Sequence, residues 1–271
     1  NSGASRLNLA QAFNSLGTTV APLIGGALIF SGVEVATSAA EADSVKLPYV
    51  GLAMALVVIA VILSVIKMPT LRDDSEAQQG AAALSEALGQ KHLLFGVTAI
   101  FLYVGGEVSI GSFLVSFLGE PDVAGLTEAA AANYVALYWG GAMVGRFIGS
   151  ALMTRIRPGV LLGIHAMLAV LLVATAATST GTLAVYAILA VGLCNSIMFP
   201  TIFSLALLGL GRLTSAGSAA LCLAIVGGAV VPLLQGVIAD TAGLRIAFVV
   251  PILCYAYIAW YGTKGSLLVR S

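Results

Sequence analysis

One carboxylate lies deep inside an apolar run of this sequence: Glu107, within YVGGEVSIGS from Tyr103 to Ser112. An ionisable group in such surroundings is costly to keep and is a functional candidate by default. Gly105 and Gly106 precede it, which lets a neighbouring backbone or a ligand approach closely. Two readings stand: a cavity carboxylate that binds a polar solute or carries a proton or Na⁺, or a structural acid paired with a hydroxyl or amide of another helix. Amides recur at comparable depth, at Asn8, Gln11, Asn14, Asn133, Asn195 and Gln235. Gln11 and Asn14 are three apart and share a helix face, with Asn8 one turn earlier. An amide offers donors and acceptors together, which suits the hydroxyls of a neutral sugar better than an isolated inorganic ion. The alternative is interhelical glue, worth about 1 kcal/mol or less per contact. Tyr134, Tyr138, Trp139 and Phe199 could supply ring faces for the apolar side of a sugar. Tyr103 and Trp260 read instead as anchors at a membrane–water interface.

Arg146 opens GRFIGSALMTRIRPG and is followed by Arg155 and Arg157. Such a cluster at a short turn can lock helix ends and release them during a conformational change, so all three are gating candidates. Plain topology accounts for Arg155 and Arg157 equally well, and for Arg146 poorly. His165 is either a proton relay or a histidine satisfied by a neighbour. Asp240 is read as a cap or an ion-pair partner, with Arg245 the candidate cation. The sequence holds no GxxxxGK[ST] phosphate loop, no His/Cys/carboxylate cluster at metal spacing and no GxSxG-like nucleophile setting. Nothing positive therefore supports an enzyme, a resident cofactor or a nucleic-acid partner. Cys194, Cys222 and Cys254 fall within apolar runs and read as small packing residues.

The elements that must hold these groups are membrane helices. Only 9% of the 271 residues are charged and 59% are hydrophobic, with a mean hydropathy of +1.05. A soluble domain needs a charged shell that this chain lacks. Lipid tolerates the composition only if each span satisfies its own backbone hydrogen bonds, so the fold class is an all-α membrane bundle. Spans of roughly 17–25 apolar residues are expected at Leu7–Phe30, Pro48–Ile66, Leu93–Leu118, Thr127–Met153, Val160–Ala177, Leu183–Leu208, Thr214–Ala239 and Leu244–Tyr261. Between them Lys and Arg fall mostly on one side: Arg6, Lys67, Arg72, Lys91, Arg155, Arg157, Arg212, Lys264 and Arg270, against Lys46 and Arg245. The positive-inside rule then puts both termini in the cytoplasm.

Lys67–His92 is the longest polar interruption, and its middle, Ala81–Leu88, could form a short surface helix. Gly17, Pro22 and Gly26 repeat the spacing of Gly227, Pro232 and Gly236 across that linker. Parallel repeats of this kind characterise secondary transporters with two six-span halves. On that basis the chain is expected to lack about four spans at its start. It would hold the last two helices of an N-terminal bundle (1–66), a cytoplasmic linker (67–92) and a C-terminal six-helix bundle (93–271).

Three stretches, Ser5–Gly26, Ala131–Ser150 and FPTIFSLAL (Phe199–Leu207), resemble the fucose/glucose–galactose permease family of the major facilitator superfamily. The resemblance implies a twelve-span sugar symporter of the bacterial inner membrane, usually proton-coupled, working by alternating access. It places Gln11 facing sugar and makes the run from Arg146 to Arg155 a gate. Fucose-carrying members are expected to have Tyr before PTIF, where this chain has Phe199, which fits a glucose/galactose subgroup better. The family's coupling acids belong to spans absent from this sequence. The expected function is thus a hexose symporter driven by H⁺ or Na⁺, a monomer in the bilayer. Its sugar contacts would be Gln11, Asn14, Glu107, Asn133, Asn195, Phe199 and Gln235. Rivals are transport of another solute, such as fucose or a drug, by the same fold, or a non-transporting sugar sensor.

Overall fold

The computed structural model describes residues 11, 15–17, 20, 24, 38–66 and 81–270. Among them every regular element is helical. The first expected span, Leu7–Phe30, lies almost wholly outside these residues, as do Asn8, Asn14, Pro22 and Gly26.

Helix α1, Ser38–Val65, starts ten residues before the apolar run that announces it. From Tyr49 to Val65 it is apolar, and its side chains are exposed on every face. The short helix α2, Ala81–Leu88, forms where the linker was expected to make one. Beyond it come α3 (Lys91–Gly119), α4 (Glu128–Leu152), α5 (Pro158–Thr178), α6 (Gly181–Asn195) and α7 (Met198–Ala206). The chain closes with α8 (Thr214–Leu223), α9 (Gly227–Ala242), α10 (Leu244–Ala247) and α11 (Val249–Thr263). Five helical stretches among the described residues are long and apolar enough to cross a membrane: Lys91–Gly119, Pro158–Thr178, Gly181–Ala206, Gly211–Ala242 and Leu244–Leu267. Helix α4 is as long, with Asn133, Trp139, Arg146 and several glycines diluting its hydropathy.

Three expected single spans are interrupted. Leu183–Leu208 breaks at Ser196–Ile197, between α6 and α7; Thr214–Ala239 passes through a 3-10 turn at Ala224–Val226; Leu244–Tyr261 is divided at Phe248. Hydropathy measures length and apolarity and is blind to which backbone bonds are made. At the first break the cause is local, because Pro200 has no N–H to give the carbonyl four residues earlier, that of Ser196.

Lipid gives apolar helices little hydrophobic reason to associate, so close packing and polar contacts must hold them together. Helix α3 is the hub, packing against α4, α7, α9 and α11, while α5 bridges α6 and α11. Close approach is made by glycine at several crossings, most tightly against a neighbouring backbone at two. A Cβ on Gly192 would overlap the carbonyl oxygen of Tyr138, and one on Gly227 that of Phe101. Cys194 and Cys254 are buried and Cys222 is exposed, so packing describes two of the three.

The helix ends gather into two faces. At one, Arg245 donates to the carbonyls of Ala177 (3.1 Å) and Ser179 (2.6 Å) and pairs with Asp122 at 2.7 Å. Its guanidinium also lies over the Phe117 ring, and the Gly181 N–H meets the Asp122 carbonyl at 2.9 Å. Asp240 was read as a cap or as a partner for this cation; the loop between α3 and α4 supplies Asp122 to Arg245, because that loop folds back over the start of α6. At the opposite face Arg212 pairs with Glu86 of α2, and Arg155 and Arg157 are exposed at the turn from α4 to α5.

Candidate functional site

The break between α6 and α7 organises the polar interior. Three successive carbonyls at its edge, those of Cys194, Asn195 and Ser196, meet donors from three different helices. His165 Nδ1 of α5 lies 3.2 Å from the Cys194 oxygen. The Tyr103 hydroxyl of α3 lies 3.0 Å from the Asn195 oxygen. Arg146 Nε of α4 donates to the Ser196 oxygen at 3.0 Å. A helix that stops inside a bundle leaves carbonyls without intrahelical partners, and a buried carbonyl left without a donor is costly. Here each is met from a neighbouring helix.

Glu107 enters this network one turn beyond Tyr103 on the same face of α3, the i, i+4 geometry. The Tyr103 hydroxyl lies 2.7 Å from Glu107 Oε1. Tyr103 is fully buried, whereas Glu107 keeps partial exposure. The Arg146 charge acts on Glu107 as a favourable electrostatic partner. The Asn195 amide donates to the Tyr138 hydroxyl at 2.7 Å, while its Oδ1 is buried without a hydrogen-bond partner. Tyr255 of α11 approaches the same side chain. Phe199, one residue before Pro200, has its ring 6.4 Å from that of Tyr103 and stacks on Phe203 at 5.9 Å.

The expected contact residues thus divide. Glu107, Asn195, Phe199 and Arg146 come together around the broken helix. Gln11 reaches its edge through its backbone, whose carbonyl accepts from Arg146 Nη1 at 3.0 Å. Gln235 is fully buried on α9, and neither polar atom of its side chain has a hydrogen-bond partner. Ser109 of α3 is likewise buried with its hydroxyl unpaired. Asn133 is exposed and lines an open groove with Leu137, Gly141, Val144 and Leu193, away from the network. Arg155 and Arg157 lie at the end of α4, apart from Arg146. Asn14 lies outside the described residues.

The hydroxyl roles of three tyrosines in the network escaped the sequence. Tyr103 reads as an interfacial anchor, yet it is wholly buried; its spacing of four from Glu107 was the available signal. Tyr138, expected as a ring platform, also has its hydroxyl held by the Asn195 amide. Tyr255 carried no signal, because nothing in its apolar surroundings marks which way it faces. Among the described residues no group of side chains could hold a metal ion.

The chain has clear relatives. A family model described as Major Facilitator Superfamily matches residues 4–226. The chain is 56% identical over 263 residues to a glucose/galactose transporter of Brucella abortus biovar 1 (strain 9-941), covering 97% of the chain and 64% of that protein. It is 33% identical over 277 residues to an L-fucose-proton symporter of Escherichia coli (strain K12), covering 95% of the chain and 63% of that protein. Among solved structures, the E. coli fucose:proton symporter superposes with a TM-score of 0.82 at 31% identity, covering 97% of the chain and 69% of that structure. The chain spans just under two thirds of the length of the curated relatives it matches. With most of its residues matched and its helical bundle superposing on that symporter, this chain belongs to the major facilitator superfamily.

Proposed function

We propose that the chain serves a secondary active transporter of neutral hexoses, of the glucose/galactose type, which couples sugar entry to protons by alternating access. The observation that carries this reading is the convergence of uncharged donors and acceptors at the broken helix, beside one carboxylate. Asn195, Tyr138 and Tyr255 offer hydroxyl and amide groups, and Phe199 offers a ring face. Such a set suits a polyol ring better than an ion or a lipophilic drug. The choice among sugars leans on the glucose/galactose transporter at 56% identity and on Phe199 standing before PTIF. The choice of proton leans on the L-fucose-proton symporter at 33% identity.

In this reading residues 1–66 complete an N-terminal bundle, 67–92 form a cytoplasmic linker, and 93–271 form the C-terminal bundle. The face with Arg155, Arg157 and Arg212 is cytoplasmic by the positive-inside rule, the membrane is the inner one, and the working unit is a monomer. Sugar binds near the midplane and the two bundles rock around it. Gln11 and Asn14 contact it from one side, and Glu107, Asn195, Phe199 and Gln235 from the other, with Asn133 meeting it from the separate open groove on α4. Arg146, with Arg155 and Arg157, governs opening toward the cytoplasm.

Uptake of radiolabelled glucose and galactose by the full-length transporter in proteoliposomes tests this. The expected result is saturable uptake driven by an inward proton gradient, mutual competition between the two hexoses, and a raised KM in Asn195→Ala. Absence of hexose flux under either a proton or a sodium gradient overturns it. Tight hexose binding without flux would identify a sensor instead.

A further inference from the structure

One hydroxyl proton at Tyr103 faces two acceptors. Glu107 Oε1 is 2.7 Å away and the Asn195 carbonyl 3.0 Å away, and a phenol has a single proton to donate. The two contacts can both be full two-centre hydrogen bonds only if Glu107 brings a proton of its own; otherwise they share one proton.

We propose that Glu107 is a proton-binding site whose occupancy Tyr103 reports to the break between α6 and α7, making the pair a proton-operated latch on that helix. The inference rests on the proton-coupled reading above and names the group that takes up the proton. With Glu107 ionised, the carboxylate is the stronger acceptor and draws the Tyr103 proton to itself. The Asn195 carbonyl then loses its donor at the point where the helix is already interrupted. When Glu107 takes up one proton from water, its new O–H donates to the Tyr103 oxygen. The Tyr103 O–H turns to the Asn195 carbonyl, and every group in the row is satisfied. One proton is gained, and no covalent bond other than the new O–H changes.

The surroundings suit this role. Among the described residues, the titratable and charged groups facing Glu107 are Tyr103 on its own helix, Tyr138 and Arg146 on α4, and Tyr255 on α11. Arg146 acts on the ionised form and also holds the next carbonyl, that of Ser196, so its grip and the latch act on adjacent peptides. Glu107 keeps partial exposure, which gives protons a way in, while Tyr103 has none.

Infrared difference spectra between low and high pH, on the full-length protein in lipid nanodiscs, test the latch. The wild type should gain a protonated-carboxyl band together with an amide-I change. Glu107→Gln, whose amide N–H donates to Tyr103 as the protonated acid does, should lack both. Tyr103→Phe should keep a carboxyl band at shifted frequency and lose the amide-I change. Ring-labelled tyrosine in the unmutated protein should show a phenol C–O shift with the same midpoint as the carboxyl band. A carboxyl band unchanged in Glu107→Gln, or an amide-I change unchanged in Tyr103→Phe, overturns the proposal, as does a phenol band that ignores pH. In transport, uphill hexose accumulation in Glu107→Gln should fall to the equilibrium level. Undiminished accumulation in that variant overturns the coupling role. A wild type that moves no hexose yet gives the full infrared pattern removes the sugar reading and leaves the latch standing.

Discussion

Arg146 supplies the hydrogen bond that Pro200 withholds. The proline has no N–H for the Ser196 carbonyl, and Arg146 Nε occupies that place at 3.0 Å from a different helix. The same guanidinium extends Nη1 to the Gln11 carbonyl, so it ties the first part of the chain to the broken helix. A charge this well buried is retained because both of its contacts are specific.

Arg146→Ala should therefore destabilise the protein by about 1–3 kcal/mol, the range for stranding a buried acceptor. Arg146→Lys should recover only part, since one ammonium cannot reproduce the planar fork. Thermal unfolding in detergent, followed by loss of monodispersity, measures both variants.

Arg245 and Asp122 should not be equivalent when removed. Their ion pair is substantially exposed, at 26% and 53% of the side-chain surface, and such pairs contribute about 0–1 kcal/mol. Asp122→Asn is expected to fall within that range. Arg245→Ala also removes the donor to the Ala177 and Ser179 carbonyls and should cost about 1–3 kcal/mol. Comparison of the two unfolding temperatures checks the ranking.

Gly192→Ala should separate α6 from α4, because the new methyl group would occupy the position of the Tyr138 carbonyl oxygen. Overpacking of this kind typically costs about 1–3 kcal/mol. It should also weaken the Asn195–Tyr138 hydrogen bond and raise the hexose KM. Gly236→Ala meets only the Phe113 ring edge, at 3.6 Å, and should stay within about 0.5 kcal/mol of wild type. Paired melting curves and uptake kinetics distinguish the two.

Gln235→Leu should improve or preserve stability while harming transport. Both polar atoms of the side chain are buried without a hydrogen-bond partner, and replacing a stranded polar group with an apolar one of similar shape is near neutral or stabilising. If the amide is kept for solute, affinity falls as stability holds, the usual trade at a binding site. Melting temperature and KM measured on one preparation show whether they move in opposite directions.

The order of the spans and the short helix in the linker were readable because length and apolarity announce them. Rotation about each helix axis was not. Asn133 and Asn195 look alike in the sequence, yet one is exposed on α4 and the other wholly buried at the end of α6. Helices that are apolar all round carry no stripe to say which face turns inward. Tyr103 was misread for a related reason: an aromatic in an apolar run fits an interfacial belt as well as a core. The break at Ser196–Ile197 had a visible cause in Pro200, but Pro232 lies within α9 without ending it, so proline alone could not have located the interruption.

Three helices hold three consecutive peptide units of a fourth. No one of α3, α4 and α5 can tilt or slide by itself without shearing a bond anchored on the same short stretch. While all three bonds stand, these helices swing together as one block, and any loosening between them has to begin at whichever of the three gives way first.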